Sequence, residues 1–149
     1  MTASVTVEVK GLRELGEAMR QLDADVALKL SWQATGAAAQ VVKKRAQQKI
    51  ETSPSVDTGN LRRSVIVKRM PKGERGDLTA EHIVTVRGRG KRTRKGNLQA
   101  GAPYAHFVEF GTVHMPAEPF LRPALEGGVR EAVEAMRRRL EAGIIKNRK

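Results

Sequence analysis

The chain lacks cysteine altogether and has few aromatic residues: one Trp, one Tyr and three Phe in 149 residues. Without cysteine, disulfide bonds and thiolate metal sites are excluded. No run of 18 apolar residues occurs, and the first residues lack the apolar segment of a signal peptide. We therefore expect a soluble protein made inside the cell, with a core built mostly from Ala, Val and Leu.

Positive charge is concentrated in two segments. The chain carries 28 Lys and Arg against 16 Asp and Glu, a net charge of +12. Residues 62–95 include twelve basic and three acidic side chains, and residues 137–149 include six basic and one acidic. The rest of the chain is close to neutral. This distribution predicts local contacts with an anionic partner rather than a uniformly basic surface.

Hydrophobic periodicity and turn residues predict alternating strands and helices in one domain, residues 1–149. The predicted elements are a strand at Ser4–Val9, a helix opening at Gly11, a helix from Asp23 or Asp25 to about Ile50, one helical turn at Asn60–Ser64, strands at Ser64–Met70 and His82–Arg87, and a helix at Glu118–Ala142. Residues 87–101 form a long basic loop, and residues 143–149 a basic tail. The order predicts an α+β fold: a small, mostly antiparallel sheet packed against a long helix and a C-terminal helix.

The C-terminal helix contains several glycines. Gly127 and Gly128 predict a kink or a break, since each Gly costs about 1 kcal/mol relative to Ala inside a helix. Gly143 is a plausible terminator. The predicted buried stripe is formed by Leu125, Val129, Ala132, Val133, Met136 and Leu140.

Catalytic chemistry is not supported by the pattern of titratable residues. His106, Glu109 and His114 could be imagined as metal ligands, but their spacing does not match helical ligand pairs, and a Gly-Thr turn intervenes. His82 could be imagined as a general base. No cysteine nucleophile, G-x-S-x-G or phosphate-binding loop motif occurs. The sequence therefore predicts no enzyme activity, no metal and no cofactor.

The predicted loop carries six cations within nine residues: Arg87, Arg89, Lys91, Arg92, Arg94 and Lys95. Such a loop can follow phosphates by counterion release without reading base sequence. It contains no aromatic residue on which bases would stack. Contact with DNA, contact with an acidic protein surface and a solvated loop all remain open.

All four Phe and Tyr residues lie in the stretch Tyr104–Leu125, which reads YAHFVEFGTVHMPAEPFLRPAL. Its prolines favour a rigid connector into the last helix. We expect Phe107 and Phe120 in the core, with Leu121 beside them and Trp32 as a further core anchor. Tyr104 or Met115 is expected at the rim.

The paired motifs YA-x-FVEFGT, at residues 104–112, and MPA-x-PFLRPA, at residues 115–124, resemble the tail-component (tail-completion, head–tail joining) family of long-tailed double-stranded DNA bacteriophages and prophages. Gly11-Leu12 with Leu15, and the run Thr58–Ser64, agree with the same pattern. The resemblance spans about residues 7–142. The basic segment at residues 87–95 is not part of it.

The resemblance implies a non-enzymatic protein of virion morphogenesis, assembled in the bacterial cytoplasm and located at the neck or tail of the virion. It implies copies of itself in a ring, such as a hexamer, beside head-closure and tail-terminator proteins. Through the basic segment such a protein could also contact exiting DNA non-specifically, and the lack of a long apolar run predicts no membrane partner. The residues expected at the contact between subunits are Tyr104, Phe110, Thr112, His114 and Met115, with Arg62 and Arg63 nearby.

Two other hypotheses stay open on the sequence alone. One is a basic nucleic-acid-binding protein that uses residues 87–95. The other is a toxin-like or antitoxin regulatory module, which only the size and basicity of the chain favour.

Overall fold

The computed structural model describes residues 11–53, 59–70, 80–92, 98–99 and 101–147. In chain order, the described elements are α1 (Leu12–Arg20), α2 (Ala24–Glu51), α3 (Asn60–Ser64), β1 (Val65–Arg69), β2 (His82–Val86), β3 (Lys91–Arg92), β4 (Leu98–Gln99), α4 (Ala105–Phe110) and α5 (Leu121–Asn147). This composition confirms the α+β class. The strand predicted at Ser4–Val9 lies outside the described residues.

The strands form two small ladders. β1 pairs with β2, and the backbone N–H of Arg87 donates to the carbonyl oxygen of Ser64 at 2.8 Å. β3 pairs antiparallel with β4 in the register Lys91↔Gln99 and Arg92↔Leu98. The segment predicted as an irregular loop at residues 87–101 therefore contains a short paired region, which the sequence did not reveal because two-residue strands have no measurable periodicity.

The chain divides into two compact units. One comprises Met1–Val41, Arg69–Ile83 and Val129–Lys149, and the other Val42–Lys68 and Val84–Gly128. α2 and α5 each contribute one part to each unit, so neither unit corresponds to a continuous stretch of chain.

The core of the first unit is aliphatic and helical. Leu30 and Ala34 of α2 pack with Leu140 and Ile144 of α5, and the half-buried Met19 of α1 packs against this cluster. α1 begins after Gly11, whose φ of 81° places it in the left-handed region that glycine tolerates. Amphipathic spacing thus produces a cluster of three helical segments, as expected for helices that each bury one apolar face.

The core of the second unit brings together α2, α3, β1, α4 and α5. Its buried residues are Ala46, Ile50, Leu61, Val65, Ala102, Val108, Phe120 and Ala124. Ser64 is fully buried as well, and its hydroxyl donates to the carbonyl oxygen of Asn60 at 2.7 Å. The hydroxyl therefore has the partner that a buried polar group requires.

The last helix differs from the prediction at both ends and in the middle. It begins at Leu121 rather than Glu118, continues through Gly127 and Gly128 without a break, and passes Gly143 to end at Asn147. A Cβ on Gly128 would lie 2.8 Å from the Cδ of Arg45, and one on Gly143 would collide with the Leu30 side chain. Close packing thus uses the glycines, and it outweighs their low helix propensity.

The buried face of α5 is also shifted from the predicted stripe. Leu125 is 53% exposed, whereas Ala124 is buried. The face follows a row of residues four apart: Ala124, Gly128, Ala132, Met136, Leu140 and Ile144. On the outer side Arg137 donates from Nε to Glu141 at 2.7 Å, and this hydrogen bond with the carboxylate charge raises the pKa of Arg137 above its ordinary value.

Candidate functional site

The stretch that gathers the aromatic residues folds as α4, a sharp turn and an extended connector into α5. α4 is short, and Val108 is its buried residue. The N–H of Phe107 donates to the carbonyl oxygen of Tyr104 at 2.9 Å, and the N–H of Gly111 donates to that of Phe107 at 2.8 Å. The helix was not predicted, since six residues with one buried side chain give no helical stripe.

Gly111 ends α4 in a conformation that favours glycine strongly, with φ 75° and ψ 178°. A Cβ at this position would lie 2.8 Å from the backbone nitrogen of Ala117 and 2.9 Å from the carbonyl oxygen of Met115. The turn is closed by Thr112, whose N–H donates to the same Met115 oxygen at 2.8 Å. The Gly-Thr pair of the motif therefore forms a tight reversal of the chain.

Glu109 connects α4 to the start of α5. Its carboxylate accepts backbone N–H groups from Phe120 at 2.8 Å, Leu121 at 3.0 Å and Arg122 at 3.2 Å. The first N–H groups of a helix have no partner within the helix, and a negative charge is favoured at that end. A side chain eleven residues upstream thus caps α5.

The connector is also held to α4 and α2. The N–H of Glu118 donates to the carbonyl oxygen of Val108 at 2.8 Å, and the hydroxyl of Ser53 donates to the Glu118 carboxylate. A cavity of about 80 Å³ beside Ser53 and Phe120 is too small for a typical ligand, which needs roughly 300 Å³ or more. These contacts fix the connector rather than create a substrate pocket.

The outer side of α4 and the turn after it present apolar side chains to solvent. Tyr104 is 38% exposed, Phe107 47%, Phe110 79% and Val113 98%. We call these four residues the α4 surface. The prediction that Phe107 is a core anchor is wrong, because its neighbour Val108 takes the inward position of this short helix and Phe107 instead lies against the ring of His106, with centroids 3.9 Å apart.

The other predicted core anchors are buried or partly buried. Trp32 is 8% exposed and Phe120 3%, while Leu121 is half-buried and packs against the core of the second unit.

The structure brings most of the predicted contact residues into one segment. Tyr104, Phe110, Thr112 and His114 are exposed on α4 and the turn, and Met115 is half-buried against the core.

Two predicted contact residues lie elsewhere, on α3. Arg62 and Arg63 are both exposed. Arg62 forms an ion pair with Glu51 at 2.8 Å, and its carbonyl oxygen accepts a bond from Gln47 at 3.0 Å. Arg62 is therefore held by α2.

The three residues considered as metal ligands, His106, Glu109 and His114, do not form a metal site. Glu109 is occupied by backbone N–H groups, and His106 lies against Phe107. Over the described ranges, no group of three or more histidines and carboxylates could hold a metal ion. His82 hydrogen-bonds Thr35 and contacts Trp32 edge-on. None of the described helices is long and apolar enough to cross a membrane.

The basic segment is only partly described. Arg87 is half-buried, and its backbone is fixed by Ser64 and by the N–H of Ala102, which donates to the Arg87 carbonyl oxygen at 2.7 Å. Arg89 and Arg92 are exposed. The side chain of Lys91, and both Arg94 and Lys95, lie outside what the structure describes.

An apolar surface on a braced helix is the kind of site that binds another protein. The family described as bacteriophage HK97-gp10 tail-component matches residues 13–111. Since this match covers more than half of the chain, the protein belongs to that family and is a phage tail component. The match to the family ends at Gly111, so the second motif, at residues 115–124, lies beyond the matched region. No curated protein and no solved structure matches the chain.

Proposed function

We propose that this phage tail component joins the tail to the head at the neck and completes the tail by assembling into a ring. The observation that carries the proposal is the α4 surface: four apolar side chains, two of them more than three-quarters exposed, on and beside a helix that Glu109 fixes to α5. Monomeric soluble proteins rarely expose contiguous apolar patches larger than roughly a few hundred Å², and larger patches mark sites of interaction.

A second copy of the chain is the proposed occupant of the α4 surface. A closed ring needs a head-to-tail interface in which two different surfaces meet, so the α4 surface of one subunit contacts another face of the next. Aromatic residues are enriched at the centre of such interfaces, and polar residues lie around them. Phe110 is then central, Thr112 and His114 lie at the edge, and Arg62 and Arg63 contribute charge. The same ring contacts head-closure and tail-terminator proteins, without any catalytic step.

Phe110→Ala tests the proposal, with Ile145→Ala as the matched control. Ile145 is an exposed apolar residue on α5, 75% exposed, and belongs to no proposed contact. The purified protein is examined by light scattering and electron microscopy, and phage particles are examined by electron microscopy. Phages lacking the gene are expected to accumulate unjoined heads and tails. Ile145→Ala restores joining and Phe110→Ala does not. Normally joined virions without the gene, or full rescue by Phe110→Ala, contradict the proposal.

A second candidate function is non-specific DNA binding by the basic segment. Exposed Arg89 and Arg92 extend from a backbone that is anchored at Arg87 by two hydrogen bonds. Arginines on an anchored segment can contact phosphates without base readout. The two functions are compatible, since a neck protein surrounds the path of the DNA.

Neutralising all six cations of the segment to Gln tests the second candidate. Fluorescence anisotropy with a short DNA duplex is expected to show a large loss of affinity, while assembly is unchanged. The control replaces the same number of cations elsewhere, on α5. Equal affinity in the segment variant and the control removes the segment from DNA binding.

A further inference from the structure

An open groove in the first unit lies outside the α4 surface and shares no residue with it. It is formed by the first turns of α2 and the ends of β1 and β2, and its volume is about 440 Å³. That size is within the range of binding pockets. Its lining residues are Asp25, Leu28, Lys29, Trp32, Gln33, Arg69 and His82. We call it the Trp32 groove.

One wall of the groove is an ordered stack of rings and a cation. The Arg69 guanidinium carbon lies 3.7 Å from the centroid of the Trp32 ring, in cation–π contact. The His82 ring meets Trp32 edge-on, with centroids 5.3 Å apart and planes at 78°. Trp and Arg are the residues most enriched at the energetic centres of protein interfaces.

The histidine in this wall is fixed in orientation. Thr35 Oγ1 lies 2.9 Å from His82 Nδ1 and also donates to the carbonyl oxygen of Ser31 at 2.9 Å. The hydrogen bond with Thr35 holds the His82 ring against α2. Gly36 leaves room for the ring, as a Cβ there would already lie 3.4 Å from it.

The indole N–H of Trp32 has no acceptor. Within the described part of the chain it is the buried side-chain polar atom without a hydrogen-bond partner. Buried donors are normally paired, and each exception calls for a physical explanation. A binding partner that brings an acceptor would supply the missing bond.

The charges at the rim select the chemistry of the partner. Lys29 and Arg69 are cationic and exposed, and Asp25 is the acidic lining residue, so these lining side chains carry a net positive charge. Leu28 and Trp32 offer an apolar floor beside these cations. An aliphatic side chain flanked by carboxylates matches both features, since Arg binds carboxylates in a bidentate manner.

We propose that the Trp32 groove is a docking site for an acidic segment of another protein, with a carboxylate held by Arg69 and Lys29 and an apolar side chain against Leu28. The site is independent of the ring proposed above, because no residue of the α4 surface contributes to it.

The single tryptophan of the chain makes the groove directly observable. The probe is a capped synthetic peptide in which glutamates alternate with leucines, and the matched peptide has glutamines in place of the glutamates. Intrinsic fluorescence of Trp32, with calorimetry as a second readout, is expected to show saturable binding of the acidic peptide. The glutamine peptide and the Arg69→Gln variant are expected to bind roughly tenfold more weakly or worse.

The control variant is Arg92→Gln, which removes an exposed arginine outside the groove and leaves binding unchanged. If Arg69→Gln does not fold by circular dichroism, Lys29→Gln takes its place. Equal binding of the two peptides overturns the proposal, and so does an equal loss in Arg92→Gln. The same saturable change with inorganic phosphate or a short DNA duplex also overturns it. Phe110→Ala retains peptide binding, so failure of the ring and failure of the groove are distinguishable.

Discussion

At the scale of single residues, Glu109 and Gly111 explain why the aromatic stretch has its particular sequence. Glu109 accepts three N–H groups from the first residues of α5, and Gly111 makes the chain reversal that brings those groups within reach. The Gly-Thr pair indicates a turn in the sequence, but the role of Glu109 is not visible in periodicity, because its partners lie eleven to thirteen residues further along the chain. The sequence alone suggests no role for Glu109 beyond that of a metal ligand.

Glu109→Ala is expected to lower the free energy of unfolding by about 2 kcal/mol, because it removes a helix cap and a favourable charge at the positive end of α5. Urea denaturation followed by circular dichroism measures the change. Glu126→Ala, an exposed position on α5, is the control and is expected to change little. Equal effects of the two substitutions would show that Glu109 is not a cap.

Gly111→Ala is expected to destabilise the protein by about 2 kcal/mol or more, because alanine is strained at this φ and ψ and its Cβ meets backbone atoms. Gly16→Ala is the matched comparison. Nothing lies within 4 Å of a Cβ at Gly16 on α1, so alanine there is expected to stabilise by up to about 1 kcal/mol. Thermal denaturation of both variants checks the opposite signs, and the same sign for both contradicts this account.

At the scale of elements, the hydrogen bonds at the start of α5 explain why Pro123, the second proline of PFLRPA, is tolerated there. The N–H groups of Leu121 and Arg122 go to Glu109, Pro123 has none, and that of Ala124 goes to the carbonyl oxygen of Phe120 at 3.3 Å. Every donor of the first turn is thereby satisfied or absent.

The sequence predicted α2 and α3 closely, whereas it missed α4 altogether. α2 was expected to end at about Ile50 and ends at Glu51, because its stripe is long and Ser53 follows. α3 matches its prediction at Asn60–Ser64. α4 was missed, and Phe107 was misassigned to the core because side-chain type alone does not say which of two adjacent apolar residues faces inward.

The two faces of the aromatic stretch are expected to respond differently to truncation. Phe120→Ala removes a ring that is 3% exposed and should cost about 3–5 kcal/mol in unfolding free energy. Phe107→Ala, at a 47% exposed position, should cost about 1 kcal/mol or less. Chemical denaturation of both variants measures the difference. Comparable losses would mean that Phe107 is a core residue after all.

At the scale of the whole molecule, the excess positive charge and the exposed apolar side chains of the α4 surface lie in different segments of the chain. The net charge of +12 is concentrated in residues 62–95 and 137–149, while the α4 surface follows at residues 104–113. The family and the α+β class followed from the sequence. The single domain remains a prediction. The two compact units could not be predicted from the sequence, because each is built from segments that lie far apart along the chain.

Salt is expected to separate the two proposed functions. Raising NaCl from about 50 to about 500 mM should weaken binding to a DNA duplex by roughly four thousandfold if about four cations neutralise phosphates. Subunit association through apolar side chains should persist, because it does not depend on unscreened charge. Anisotropy and sedimentation over the same salt series provide the measurements. Dissociation of the assembly in parallel with the DNA would show that both rest on charge.

The cap formed by Glu109 also has a mechanical consequence. α5 contains 27 residues and is therefore roughly 40 Å long. A pull on the outer side of α4 acts on one end of this rod through three parallel hydrogen bonds as well as through the connecting peptide. Displacement of α4 by a bound neighbour would thus reach the first turn of α5 directly instead of being absorbed by slack in the connector.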